Sequence, residues 1–379
     1  MAGASATPAG RSAKAALSVT SARRHCSVLR TNVLELAPVR PPEARKAEVE
    51  YVEQACRSAL NAVRGMPFKW SLNPYMGCEH RCTFCYVRAF EKRADRPSDD
   101  RYGRTVRVKT NVVSVLRAEL GRRSWRNERV AVGAATDPYQ PAEGTYRLTR
   151  GCLAALADHS NPTHLITRGP MIVRDIDVLS DLSRRGGFGV TFSVPTLDEA
   201  VWRRTEPGTA HPRQRLAAVT RLVNAGIRAS VGMAPILPGL SDRPEQLEAV
   251  VSAAREAGAV GIWANLLYLR PGTREHFMES ISRYWPELVP LYLAEYRQGA
   301  YLPDERTRPI QRAVAELRVK HGIGDRRTNR MEAQQGQFRE RPLQLELLPA
   351  AATALISPPG WDFMSPALRW WGDQVPARG

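Results

Sequence analysis

The stretch Asn73-Pro74-Tyr75-Met76-Gly77-Cys78-Glu79-His80-Arg81-Cys82-Thr83-Phe84-Cys85-Tyr86 decides how this chain is read. It gathers three of the six cysteines at C-x3-C-x2-C spacing. Thiolates this close on one loop can converge on a soft metal centre. Four cysteine thiolates are the usual holders of an iron–sulfur cubane, so three leave one iron open to an outside ligand. Gly77 is expected to let the backbone approach such a cluster without a Cβ in the way. Phe84 sets an aromatic ring just before the third cysteine. Zinc is the alternative, because Cys78, Cys82 and Cys85 with His80 form a three-thiolate, one-imidazole set. The second downstream pair expected of a finger does not follow in the sequence.

The chain has 379 residues, 43% of them hydrophobic, which suits one large domain with appendages or two modest ones. Six clustered cysteines do not make a secreted disulfide framework and suit a reducing compartment. No apolar run reaches signal-peptide length in residues 1–30 or membrane-spanning length later. The expectation is a soluble, cytoplasmic protein with no membrane role. Net charge is +17 and the sequence pI about 10.1, which favours anionic partners, nucleic acid first. Residues 81–126 carry 13 Lys/Arg against 5 Asp/Glu. A compositional bias towards arginine would produce part of that excess without any binding role.

Residues 1–45 have no helical or strand period and read as a disordered or loosely attached basic arm containing Cys26. Over 46–67 the apolar positions Val49, Val52, Ala55, Cys56, Leu60 and Val63 predict a helix, with Cys56 on its packed face. From Phe68 a strand–loop–helix rhythm begins. Strands are expected at Phe68–Leu72, Arg129–Gly133, His164–Thr167, Phe188–Val194, Arg228–Ala234 and Val260–Leu267. Helices are expected between them, one of them over Val112–Leu120 capped by Asn111. Six such units predict an α/β fold, a partial (β/α)6 TIM-type barrel over 68–285. Helices over 286–322 and an irregular tail over 323–379 complete the chain. In such barrels the site lies at the C-terminal strand ends, and the cysteine loop occupies the first of them.

The cysteine stretch resembles the signature of the radical SAM superfamily, C-x3-C-x-aromatic-C. That resemblance implies a [4Fe–4S] cluster held by Cys78, Cys82 and Cys85, with S-adenosyl-L-methionine (SAM) chelating the fourth iron. It also implies an electron donor such as a flavodoxin or ferredoxin. The run Ala134-Ala135-Thr136-Asp137-Pro138-Tyr139-Gln140-Pro141-Ala142-Glu143 is similar to one in relatives of spore photoproduct lyase. The resemblance places the SAM amino group near Thr136 and Asp137. It places the carboxylate near Arg168, where that group commonly has Lys, and near Ser193. The adenine would lie along the strand containing Met233 and against Phe84. A simple turn is the alternative for Asp137-Pro138, and the position at a strand end favours the binding role over it. Glu206 and Arg215 cannot be separated from solvated charge. Cys152 reads as a buried helical cysteine rather than a hydrogen donor.

Gln344-Leu345-Glu346-Leu347-Leu348 resembles the short peptide by which bacterial polymerases and repair proteins engage the sliding clamp, with Leu348 where Phe is usual. Gln344, Leu345, Leu347 and Leu348 would be its contacts; docking on the chain itself is the alternative. Trp361, Trp370 and Trp371 receive no role. Together these features point to a radical SAM enzyme that abstracts hydrogen, with DNA or a nucleic-acid lesion as preferred substrate. A peptide or small-molecule substrate is the enzymatic alternative. A metal-stabilised nucleic-acid-binding module without catalysis is the alternative from another class.

Overall fold

Six short strands run parallel: β1 (Trp70–Leu72), β2 (Val130–Val132), β3 (Thr163–Thr167), β4 (Phe188–Ser193), β5 (Arg228–Ile236) and β6 (Ile262–Leu266). They hydrogen-bond in chain order, and Leu60–Ala62 pairs antiparallel with the outer edge of β1. The computed structural model describes residues 49–326. The arm with Cys26, the peptide Gln344–Leu348 and the three tail tryptophans lie outside the described residues.

Parallel neighbours need a crossover, and a helix supplies it. Helices Leu148–Asp158, Ile176–Arg185, Pro212–Asn224 and Pro244–Glu256 connect successive strands from β2 to β6, and Thr273–Tyr284 follows β6. The architecture is the expected partial (β/α)6 barrel. Helix Val112–Leu120 also forms where expected. The crossover expected after β3 starts as a 3₁₀ turn, Pro170–Asp175, before its helix. A short helix, Glu199–Thr205, escaped the sequence reading; Asp198 caps it by accepting from the Val201 amide at 3.0 Å.

Alternation along the strands produces two unlike faces. Leu165, Val190, Phe192, Val231, Met233 and Ile262 are at most 1% exposed. Each buried aliphatic side chain of this kind contributes about 1.5–3 kcal/mol. The opposite face carries His164, Thr191, Ser193, Ser230, Gly232, Trp263 and Asn265. There His164 Nε2 lies 3.0 Å from Thr191 Oγ1, and a Cβ on Gly232 would fall 2.8 Å from the Trp263 indole nitrogen. Barrels of this type usually fill their interior with branched apolar side chains. Here that face is largely small and polar.

The helix expected over 46–67 does not form. Glu50–Gln54 is a strand parallel to Thr105–Lys109, with Glu50 opposite Thr105 and Gln54 opposite Lys109. The apolar spacing fits a helix, but two sheet edges offer backbone partners along this segment, and that tertiary context overrides local propensity. Cys56 is therefore not on a helical face. Its amide donates to Asn111 Oδ1 at 2.7 Å, and its carbonyl accepts from Asn111 Nδ2 at 3.0 Å. Asn111 thus sits at the expected N-cap but spends its side chain across the fold, making no capping bond.

Beyond the barrel, helices Val289–Glu295 and Asp304–Lys320 follow. The chain then returns to β6: the Ile262 amide donates to the Gly324 carbonyl at 3.0 Å, and a single-residue parallel bridge joins Ile262 to Asp325. The first residues assigned to an irregular tail thus meet a sheet edge. Among the described residues no helix is long and apolar enough to cross a membrane.

Candidate active site

The cysteine loop follows β1 and is held almost entirely through its backbone. Thr136 Oγ1 and Gln140 Nε2 donate to the Gly77 carbonyl at 2.7 and 3.2 Å. The Gly208 amide donates to the His80 carbonyl at 3.1 Å, and Thr273 Oγ1 donates to the Cys85 carbonyl at 3.0 Å. Loops after β2, β4 and β6 therefore all grip the loop after β1. Gly77 has φ +88°, and a Cβ there would lie 2.8 Å from the Thr105 carbonyl oxygen. The glycine is needed for that turn and close approach.

Arg88 is the central clamp. It is 1% exposed, and Nε donates to the Cys82 carbonyl at 3.2 Å. Nη2 reaches the Arg81 carbonyl at 3.2 Å, and Nη1 reaches those of Ser98 and Asp99 at 2.8 and 2.5 Å. Its guanidinium also lies over the Tyr102 ring at 4.6 Å. With backbone groups satisfied this way, the three sulfurs are left as the loop's reactive atoms. All three are free thiols, and Cys85 Sγ lies 3.7 Å from the Tyr102 hydroxyl. Burial pushes Cys82 up to about 12, and burial with the neighbouring Asp137 carboxylate raises Cys78 further above its usual range.

At the end of β2, Asp137 is a crosspiece between strand ends. Its Oδ1 accepts from the Tyr139 amide at 2.9 Å and from Thr167 Oγ1 at 2.6 Å. Its Oδ2 accepts from the Arg168 amide at 2.6 Å and lies 3.3 Å from His80 Nδ1. The His80 approach meets the distance for an ion pair but not the angle of a hydrogen bond. Burial would raise the Asp137 pKa, but His80, Thr167 and the Arg168 amide hold it near 2. The expected ammonium receptor is thus already surrounded by protein donors, and Thr136 has spent its hydroxyl on Gly77.

Arg168 follows β3 and faces the cysteine loop. Its Nε donates to Glu206 Oε1 at 2.7 Å, its Nη2 donates to the Ala234 carbonyl at 3.2 Å, and its guanidinium lies 5.7 Å from the Phe84 ring centre. Burial opposes the Arg168 charge, but the Cys82 sulfur and Glu206 outweigh it and raise its pKa. Glu206 and Arg215 are fully buried, and Arg215 Nη1 also donates to the Ser193 carbonyl at 2.8 Å. These two, indistinguishable from surface charge in the sequence, are the device that holds Arg168. Their oppositely charged side chains on neighbouring segments were the available signal. Met233 is fully buried on the helix-facing side of β5, so its backbone alone is available to a ligand.

The structure thus brings Phe84, Thr136, Asp137, Arg168 and Ser193 to one barrel mouth with the three cysteines. It does not bring Cys152, which is fully buried in helix Leu148–Asp158. Nor do three or more His, Cys, Asp or Glu side chains among the described residues converge closely enough for a single metal ion.

Comparison with known proteins bears on the family and the fold. The model of the radical SAM superfamily matches residues 72–254. An uncharacterized protein of Mycobacterium tuberculosis strain H37Rv is 38% identical over 283 residues, covering 74% of this chain and 83% of the relative. An uncharacterized protein of Acidianus two-tailed virus is 26% identical over 255 residues, covering 64% and 80%. Among solved structures, a spore photoproduct lyase variant with bound AdoMet and dinucleoside spore photoproduct superposes with a TM-score of 0.56. It shares 15% identity, covering 75% of this chain and 85% of the other, a likeness of fold. The protein belongs to the radical SAM superfamily, enzymes that work with an iron–sulfur cluster and S-adenosylmethionine.

Proposed function

We propose that Cys78, Cys82 and Cys85 each ligate one iron of a [4Fe–4S] cluster, that SAM occupies the fourth, and that the substrate is a nucleic-acid lesion. The observation that carries the reading is the barrel-mouth loop with three unpaired thiols whose backbone is clamped from every side. The donor set fits. A cubane gives each thiolate its own iron, so the sulfurs need not converge on one point as a single ion would require. Family membership favours a cluster over zinc and an enzyme over a non-catalytic module. Held there and reduced, such a cluster would supply the electron for reductive cleavage of SAM, the source of hydrogen-abstracting radical chemistry.

The chain's own residues then have separable tasks. Arg168 spends Nε and Nη2 on Glu206 and Ala234, so the Nη1 edge of the guanidinium is left for the SAM carboxylate, beside Ser193. Asp137 is already subscribed, so the ammonium falls to backbone carbonyls around it, those of Ala135 and Thr136. Phe84, under Arg168, supplies a flat apolar surface. The basic charge supports nucleic acid as substrate, as does the likeness to a lyase solved with a dinucleoside spore photoproduct. A flavodoxin- or ferredoxin-type donor would supply the electron, and Gln344–Leu348 remains a proposed sliding-clamp contact.

Anaerobic reconstitution with iron and sulfide tests this. The reduced protein should convert SAM to 5′-deoxyadenosine, and Cys82→Ala should lose both cluster absorbance and cleavage. Full iron content in Cys82→Ala would remove the ligand assignment. Turnover of a peptide or small molecule, with ultraviolet-damaged DNA left untouched, would replace the proposed substrate class while leaving the cofactor site standing.

A further inference from the structure

A row of aromatic rings leaves the cysteine loop and reaches the surface. Tyr86, directly after Cys85, donates its phenol hydrogen to the Ala134 carbonyl, which fixes the ring at the mouth. Phe90 meets it edge-on at 5.7 Å. On the other side Tyr268 stacks on Tyr86 at 6.2 Å and 27°, and Tyr301 stacks on Tyr268 at 5.3 Å and 10°. The Leu269 amide donates to the Ala300 carbonyl at 2.7 Å, pinning together the two segments that carry the last pair. Tyr86 and Tyr301 are 37% and 41% exposed, so the row reaches solvent.

Cations flank the row. Arg93 lies over the Phe90 ring at 5.0 Å. Arg270 is near enough to Tyr268 to counter part of the burial that raises its phenol pKa. A polar side chain, Asn265, precedes Tyr268 by three residues at the end of β6. Asn265 sits where β6 slips register against β5, between the pairs Ala264–Met233 and Leu266–Ile236. It therefore stands opposite Ala234–Pro235, and the Ala234 carbonyl is the one that holds Arg168. Such irregularities re-aim side chains beside active sites. Asn265 is exposed in a strand whose ends are buried.

We infer that Tyr86, Tyr268 and Tyr301 form a stacking rail whose outer face, on Tyr301, takes a base of an unpaired nucleic-acid strand, with Asn265 reading the edge of a base presented towards Arg168. Sequence-tolerant single-strand binding combines aromatic platforms with a cationic track, and both occur here on a chain of net charge +17. An aromatic peptide would use the rings but not the flanking arginines. A carboxamide offers one donor and one acceptor side by side, the complement of a lactam edge on a base. The inference rests on the nucleic-acid reading of the same mouth and adds which residues would hold the strand.

Fluorescence anisotropy of labelled oligothymidylate on the reconstituted holoprotein tests it. Tyr301→Ala should weaken binding at least about fivefold, the lower range of a lost base stack, and Tyr301→Trp should restore it. Asn265→Ala should reduce the preference between oligothymidylate and oligocytidylate more than it reduces either affinity. Circular dichroism confirms that each variant is folded. Equal affinities for the natural chain and Tyr301→Ala would overturn the rail and leave the nucleic-acid reading intact. An unchanged base preference would remove Asn265. No oligonucleotide binding by the natural holoprotein would sink that reading and the rail together.

Discussion

Arg168 Nε lies 2.7 Å from Glu206 Oε1, and Arg215 binds the same carboxylate, so one fully buried acid holds two buried or half-buried arginines. Glu206→Gln would leave Arg215 without its counter-charge, a loss of about 3–5 kcal/mol for a broken buried pair. It would also free Arg168 to rotate. Denaturant unfolding should show the stability loss, and calorimetry should show weaker SAM binding at undiminished iron content. Unchanged SAM affinity would mean that Glu206 does not position Arg168.

Arg88 anchors the carbonyls of Arg81 and Cys82 from inside the protein. Arg88→Ala removes the side-chain donor to the part-buried Arg81 and Ser98 carbonyls, at about 1–3 kcal/mol each, while those of Cys82 and Asp99 keep the Cys85 and Tyr102 amides. The expected outcome is lost iron after reconstitution while far-ultraviolet circular dichroism stays close to that of the natural chain. Arg88→Lys should rescue poorly, because an ammonium cannot reproduce the guanidinium's planar fork. Full iron content in Arg88→Ala would show that the loop holds its shape without this clamp.

Burial, with Arg88 nearby, lowers the His276 imidazole to about 4. The folded value lies below the unfolded value of about 6.5, so the unfolded chain binds the extra proton first. This contribution to stability should fall as pH drops below about 6.5, with the loss complete below about 4. Its size is on the order of 2 kcal/mol after allowing for partial exposure. Urea midpoints at neutral and mildly acidic pH should differ more for the natural chain than for His276→Gln. An equal pH dependence in both would rule the histidine out.

Asn111 ties the Cys56 amide and carbonyl to the start of helix Val112–Leu120. Asn111→Ala should destabilise the protein by about 1–3 kcal/mol with SAM cleavage per cluster retained. A thermal melt and a 5′-deoxyadenosine assay separate the two effects. Loss of cleavage in a stable variant would place this contact in the site rather than in the scaffold.

Much of the barrel was legible because its signals are local. Strand alternation, helix length and the spacing of Cys78, Cys82 and Cys85 lie within short windows, where backbone geometry ties sequence to shape. The segment over 46–67 failed for the opposite reason: its apolar spacing fits a helix, but its hydrogen-bond partners lie on Thr105–Lys109 and β1. Asn111 likewise carries a local cap signal and answers a distant one.

The sequence by itself determined a run of βα units with three thiols on the first strand-end loop, because covalent spacing and side-chain period need no partner to be read. Tertiary structure alone decided which charges are buried together. Glu206 meets Arg168 from 38 residues away, Asp137 is filled by neighbours from two strand ends, and Tyr86, Tyr268 and Tyr301 become one row. In each case the outcome depends on what desolvates or satisfies a side chain, and that is set by contacts between segments far apart in the chain.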